Sequence, residues 1–418
     1  MINNNIFPDG TLIDSWFFED KIPTLENLGK QYVLTEHGIM PDGKIKTQEI
    51  QNLIDFAHQN GGGVIVVPKG TFLTGALFFK QNVNLYLCEG AVLMGSDNIA
   101  DYPVMDTRIE GESCKYFSAL INADSLDGFT ICGKGTIDGN GHRAWKAFWI
   151  RREWNPNYTN KDEQRPRLVF ISNCSNVTVA EVSLINSHFW TNHIYKSHHV
   201  KYLGCHIFAP HTPVGAPSSD AIDIDVCTDV HIKNCYFDIN DDSVVLKGGK
   251  GPYADTLEEN GANERILVEE CVYGFCHGCL TCGSESIHNR NVIVRNVTVK
   301  KADNFLWLKM RHDTPQKYEF IRIENAKGKV NSFIHVHPWT QFFDLKGRQD
   351  IPLSFAENIT LENCDFECNT FFDVEKCEEQ YRLSNFTLKD VTIKTQNSFF
   401  QKDAIKNFIT ENLNISEI

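Results

Sequence analysis

A six-residue phrase recurs eight times along this chain: apolar, polar, apolar, two mostly polar residues, then Cys, Val or Ala. It starts at Val177, Val200, Val230, Ile266, Val292, Ile321, Ile359 and Phe386, in steps of 23, 30, 36, 26, 29, 38 and 27 residues. Period-two alternation describes a strand with one buried face, and the polar pair describes a turn. A unit this short cannot bury its apolar face alone, so copies must stack. Strands contributed once per coil and stacked about 4.8 Å apart form a parallel β-helix whose interior carries ladders of like residues. The sequence therefore predicts an all-β, single-stranded parallel β-helix, with variable loops absorbing the unequal steps.

Two ladders follow from the register. Cys205, Cys235, Cys271 and Cys364 share the last phrase position and should line the interior. Asn234, Asn296, Asn325 and Asn363 recur at the turn, where Asn tolerates left-handed geometry. One of them, Asn296-Val297-Thr298, matches a glycosylation sequon, but the turn role accounts for all four. A solenoid also needs its end covered. Residues 47–59 place Ile50, Leu53, Ile54 and Ala57 on one helical face before Gly61-Gly62-Gly63, which describes an N-terminal capping helix. Residues 64–67, 70–71 and 83–87 read as the first coils. The expected layout is one domain over 1–418, with an extension and cap over 1–63 and coils over 64–418. Residues 139–167, carrying Trp145, Trp149, Trp154, Arg151 and Arg152, break the pattern as an irregular excursion, placed either on the binding face or as a packed surface loop.

Composition removes several function classes. The net charge of −14 disfavours nucleic acid and anionic membranes as partners. No stretch approaches the roughly 18 apolar residues of a spanning helix, so a soluble chain is expected. The start, MINNNIFPDGTLIDSWF, lacks the basic and apolar regions of a secretion signal, which describes either a cytoplasmic protein or an exported one whose leader is gone. Fourteen cysteines are too dilute for a disulfide framework and read mostly as buried thiols. The oligomeric state is not readable.

The chemistry-bearing segment is Ser218-Ser219-Asp220-Ala-Ile-Asp223-Ile-Asp225, followed by Asn240-Asp241-Asp242-Ser243. Asp220 and Asp241 are 21 positions apart, close to one coil, so their carboxylates should lie one rung apart on one side. Crowded carboxylates cannot all ionise, and a protonated acid beside an ionised base is what glycosidic hydrolysis needs. Solvent or calcium binding at acidic turns is the competing reading. Asp241 and Asp242 both reach one site only if the chain bends there, and Asp223 and Asp225 compete for the same face. His277-Gly278 suits a strand where a missing side chain leaves room for a ligand beside an imidazole. Cys276, Cys279 and Cys282 around it are spaced like a zinc or redox motif but lack a second ligand pair, so neither metal nor cofactor is expected. Trp307, Lys309 and Arg311 share one strand face, and Lys247 could add a cation. Such a cluster on an acidic protein can bind a sugar carboxylate and stack on its ring, unless it is only a solvated charged face.

From Pro41-Asp42-Gly43 through Gly70-Thr71 and Gly135-Thr136-Ile137-Asp138-Gly139 to the acidic motifs, the chain resembles glycoside hydrolase family 28, the polygalacturonase and rhamnogalacturonan hydrolase family. Ser218-Ser219-Asp220 matches the family's Asn-Thr-Asp, Asp241-Asp242 its Asp-Asp, His277-Gly278 its His-Gly, and Trp307-Leu308-Lys309 its Arg-Ile-Lys. The resemblance implies a right-handed helix and hydrolysis with inversion. Asp241 would be the acid, Asp220 and Asp242 would activate water, His277 would tune the acid, Lys309 would hold substrate, and His193 would line the cleft. Trp307 replaces a carboxylate-clamping Arg, and Arg311 is its candidate substitute. The expected partner is an acidic pectic oligosaccharide, attacked from a chain end of rhamnogalacturonan with release of galacturonic acid. Exo-polygalacturonase, rhamnogalacturonan rhamnohydrolase, a pectic lyase and a non-catalytic carbohydrate-binding solenoid are the alternatives.

Overall fold

The computed structural model describes residues 5–418. Residues 1–4 of the expected extension lie outside the described residues. A 27-stranded parallel sheet winds as a β-helix, and all eight phrases stack in register. Val177 pairs with Val200, and the ladder continues through Val230, Ile266, Val292, Ile321 and Ile359 to Phe386. The first and third phrase positions are buried, because alternation turns them into the coil. Comparably buried chains of Val, Ile and Leu run the length of the core.

Both predicted ladders are present. Cys205, Cys235, Cys271 and Cys364 are buried free thiols. Asn234, Asn296, Asn325 and Asn363 have φ of 54°, 56°, 55° and 52°. Asn325 Nδ2 donates to Asn296 Oδ1 at 3.0 Å, and Asn363 Nδ2 donates to Asn325 Oδ1 at 2.7 Å. The side chain that tolerates the left-handed turn thus also ties it to the next rung.

Helix α1 (Thr47–Gln59) buries Ile50, Leu53, Ile54 and Ala57 against the first rungs, as the spacing predicts. The boundary at residue 63 is not where the coils begin, however. Gln31–Val33 already pairs in parallel with Val64–Val66. The preceding segment is a strap rather than a cap. Phe7, Ile13 and Phe17 pack on Leu267 and Ile293, and Asp9 pairs with Arg290, on the outer face of one sheet. Its apolar residues are too sparse to show a period, since they match a surface and not a helical face.

Two other elements rise from the coil on a different face. Strands β1 (Val104–Ile109) and β2 (Glu112–Phe117) form an antiparallel hairpin turning at Glu110-Gly111, both with positive φ. Helix α2 (His142–Trp154) occupies the stretch expected to be irregular. Ala144, Trp145 and Phe148 face inward, Trp145 Nε1 donates to the Ser187 carbonyl at 2.9 Å, and the Arg165 guanidinium lies between the Phe148 and Phe189 rings. Its aromatic residues appear on more than one face because the helix contacts both the coil and the cleft, which hides the helical period. Among the described residues no helix is long and apolar enough to cross a membrane.

Replacing Asn325 by Ala is expected to lower unfolding stability by about 1–2 kcal/mol, because Ala tolerates the left-handed turn less well than Asn and loses both ladder hydrogen bonds. Asn325→Gly should recover the backbone part of that loss and not the hydrogen-bond part. Denaturant unfolding of the three proteins measures the difference, and equal stabilities would show that the turn imposes no such demand.

Candidate active site

The site is assembled where the chain turns a corner before entering one face of the coil. On that face β3 (Ile222–Asp225), β4 (Val244–Leu246), β5 (Gly278–Cys282), β6 (His288–Arg311) and β7 (Lys317–Trp339) lie in successive rungs. The outward register runs from Asp223 through Val245, Thr281 and Trp307 to His335. At the corner the Ala221 N–H donates to the Asp242 carbonyl, and the His277 N–H donates to the Asp241 carbonyl. These bonds set Asp220, Asp241 and His277 on adjacent rungs. Asp241 and Asp242 lie in the bend between strands, so the alternation that would separate them does not operate. One carboxylate oxygen each from Asp220, Asp241 and Asp242 falls within 4.8 Å of the others.

The three acids are held differently. Asp220 and Asp241 line the cleft, whereas Asp242 is 1% exposed and recessed behind them. Asp242 Oδ2 accepts from Lys309 Nζ at 2.5 Å, and Oδ1 points toward Gly278. A Cβ on Gly278 would lie 2.8 Å from that oxygen and 2.1 Å from Thr281 Oγ1, so the glycine is required by close packing. Asp242 thus meets the cleft through Lys309, behind Asp220 and Asp241. His277 stands beside Asp241, with Nδ1 3.7 Å from Oδ1, and is the more exposed partner.

Burial and the neighbouring Asp241 and Asp223 charges push Asp220 well above the usual carboxylate range. Asp223 is fully buried beside it, and burial raises it to about 8 against the pull of Lys247. Asp241 moves the other way: burial would raise it, but the hydrogen bond and charge of His277, with Lys309, hold it low. His277 in turn is raised to about 9, since Asp241, Asp242 and Asp303 outweigh its burial. Asp220 and Asp223 thus favour their protonated forms, while His277 favours the imidazolium beside an Asp241 carboxylate. An Asp241 carboxylate with an imidazolium contains the same protons as a neutral acid with a neutral imidazole, so the pair can deliver a proton to a bound oxygen.

The other expected residues separate into those in the cleft and those held away from it. Lys247 lines it, 3.1 Å from Glu285 and 3.9 Å from Asp220, with its Nζ over the Trp190 ring. Trp307 forms a wall with Trp339, and Lys309 Nζ lies 4.0 Å from the Trp307 ring centre. Arg311 reaches the cleft edge but is not a free carboxylate clamp. It is 1% exposed, with Nε and Nη2 donating to Asp313 at 2.7 and 2.9 Å. His193 does not line the cleft either. It is fully buried, accepts from Arg167 at Nδ1 and donates from Nε2 to Asp225 at 3.2 Å. Burial lowers it to about 4, so it is neutral. Asp225 is further held by Arg108 of the hairpin at 2.6 Å, which takes it out of competition for the site. The three cysteines around His277 are buried, with Cys276 and Cys279 sulfurs 3.6 Å apart, and His277 faces Asp241 instead of them.

Trp149 and Arg152 of α2 bring the 139–167 excursion to the binding face, one of the two placements expected for it. Glu110, at the tip of the hairpin, and Gln341 and Phe342, from the loop after β7, are cleft residues that the sequence analysis did not name. Long insertions that return to the coil leave no register mark of their own.

The model for glycosyl hydrolases family 28 matches residues 64–412. The chain belongs to that family. Among relatives, it is 26% identical over 317 residues to an exo-poly-alpha-D-galacturonosidase of Dickeya chrysanthemi, covering 63% of this chain and 50% of that protein. It is 28% identical over 303 residues to an endo-polygalacturonase of Pectobacterium carotovorum subsp. carotovorum, covering 68% and 69%. A "Probable polygalacturonase" of Vitis vinifera is 30% identical over 230 residues, covering 53% and 45%. The chain thus spans about half the length of the first and last of these three. In structure, a Thermotoga maritima exopolygalacturonase superposes with a TM-score of 0.68 at 22% identity, over 95% of this chain and 93% of that one. An Erwinia carotovora polygalacturonase gives 0.69 at 22%, over 90% and 94%. The family 28 fold here is a right-handed parallel β-helix, the hand that parallel crossovers almost always take.

The stability that His277 protonation contributes is present below its ordinary value near 6.5 and is lost as pH rises through about 9. Histidine NMR should show His277 titrating near 9, and Asp241→Asn should bring it down toward the ordinary range. An unchanged titration in that variant would detach His277 from Asp241.

Proposed function

We propose that this chain hydrolyses acidic pectic oligosaccharides, working from a chain end of rhamnogalacturonan and releasing galacturonic acid. The observation that carries the reading is the trio of acids set within 4.8 Å, two of them lining a cleft. In this reading Asp241, backed by the His277 proton, protonates the leaving oxygen. Asp220 passes its proton to the buried Asp223 and activates water as a carboxylate. Asp242, paired with Lys309, acts through its charge and the position it gives Lys309, which holds the substrate. The oxygens of the trio lie closer than the separation of roughly 6.5–9.5 Å usual in inverting enzymes. Inversion is therefore carried by the family resemblance.

End-on action is supported by the shape of the cleft and by the exo-acting Dickeya relative. Helix α2, the hairpin tip and the 341–342 loop stand around one groove, where an unobstructed coil would leave it open along its length. The substrate carboxylate also has cations to meet. With Arg311 given to Asp313 and Lys247 to Glu285, Arg152 and Lys250 are cleft cations with no ion-pair partner among the described residues. Trp307 and Trp339 supply an apolar wall for a sugar ring, and the clamp lost at Trp307 weighs against plain polygalacturonate.

Incubation with rhamnogalacturonan and homogalacturonan oligosaccharides, followed by chromatography, tests the reading. Galacturonic acid should appear first and from the rhamnogalacturonan set. Random mid-chain fragments, a rhamnose peak or an unsaturated product absorbing in the near ultraviolet would each contradict it. Asp241→Asn and Asp220→Asn should each lower kcat by about 10²–10⁴. Arg152→Gln should raise KM for uronate substrates about tenfold and leave kcat nearly unchanged, the signature of lost ground-state binding. Proton NMR of the first-formed anomer decides inversion.

A further inference from the structure

Beyond Trp307 the same outward face carries a second cluster that the proposed reaction does not use. On β7, His335 and His337 alternate outward with the core residues Ile334 and Val336. The next rung, β8 (Ser354–Val374), puts Asp373 in register with His335. His335 Nδ1 lies 2.6 Å from Asp373 Oδ2, and His337 Nε2 lies 2.8 Å from Asp373 Oδ1. The three donor atoms all fall within 4.8 Å of one another, and each side chain is partly open to solvent.

We propose that His335, His337 and Asp373 form a binding site for a divalent transition-metal ion of the zinc type. Two imidazoles and one carboxylate are a donor set such ions favour over calcium or magnesium, which prefer all-oxygen shells. Three protein donors with an open side leave a fourth position for water or another oxygen ligand. The surroundings supply the outer contacts that ligating groups require. His337 presents its other nitrogen, Nδ1, to Glu375 at 3.4 Å, which directs Nε2 at the shared point. Ser332 Oγ donates to Asp373 Oδ2 at 3.3 Å. Charge points the same way: Asp373 and Glu375 bring two carboxylates to one spot, which draws a dication. At zinc-to-ligand distances of about 2.0–2.1 Å, tetrahedral donors sit roughly 3.3 Å apart. The contacts at 2.6 and 2.8 Å would therefore open slightly as the two rings turn toward the ion. Main-chain pairing of the two rungs holds the three Cα positions meanwhile.

Titration calorimetry of the whole chain with Zn²⁺, and with Co²⁺ as an optical probe, tests the site. One ion per chain should bind, with a tetrahedral or five-coordinate cobalt spectrum that lacks the sulfur-to-cobalt charge-transfer band a cysteine ligand would give. Binding should be lost in His335→Gln and in Asp373→Asn, weakened about tenfold in Glu375→Gln, and kept in Asp242→Asn. Zinc should also shift the His335 and His337 resonances of the unaltered protein, a readout that does not depend on any variant folding. No saturable binding, a cysteine-type cobalt spectrum, or equal affinity in the His335 and Asp373 variants would overturn the proposal. None of these measurements involves pectic substrate, so the outcome is separate from the reading of the cleft.

Discussion

Rung-to-rung hydrogen bonding in register is the constraint on which everything else in this molecule depends. Each coil is pinned to the next about 4.8 Å away, so any outward residue has a fixed neighbour above and below it. The eight phrases obey this through steps of 23 to 38 residues, because every surplus residue is expelled into a loop rather than allowed to slip the register. A slip of one residue would turn each core Val and Ile outward and each Asp inward. The same pinning makes ladders of Asn and Cys, and it brings Asp220, the Asp241–Asp242 pair and His277 from three successive turns to one corner.

That corner works because the coil denies its acids a uniform environment. Asp223 alternates outward on β3, yet the hairpin and the Arg108–Asp225 pair roof its sheet, so a position that would be solvated on a bare coil is fully buried. Burial then raises Asp220 and Asp223, while His277 beside Asp241 holds that carboxyl low. The insertions that wall the cleft are thus also what separate its protonation states. Function and closure come from the same loops.

Much of this architecture was visible in the residues, and the failures share one cause. The phrase, α1 and the adjacency of Asp220 with Asp241 all depend on periods within one coil. Arg311 and His193 share strand faces with site residues, but Asp313, just past the end of β6, and Asp225, on the neighbouring rung, claim them. The strap, the hairpin and α2 were missed because each satisfies its apolar residues against a surface made by distant turns, which leaves no period to detect. Asp242 shows the limit at the smallest scale: its neighbour Asp241 faces the cleft while Asp242 recedes, and the bend that decides this carries no pattern.

The sequence alone determined the winding, since a half-buried repeat of this length can bury its apolar face only by stacking, and stacking sets which turns meet. Tertiary structure decided which of the assembled charges stay open to a ligand and which neutralise one another, because ion pairing and burial depend on where loops from remote turns come to rest.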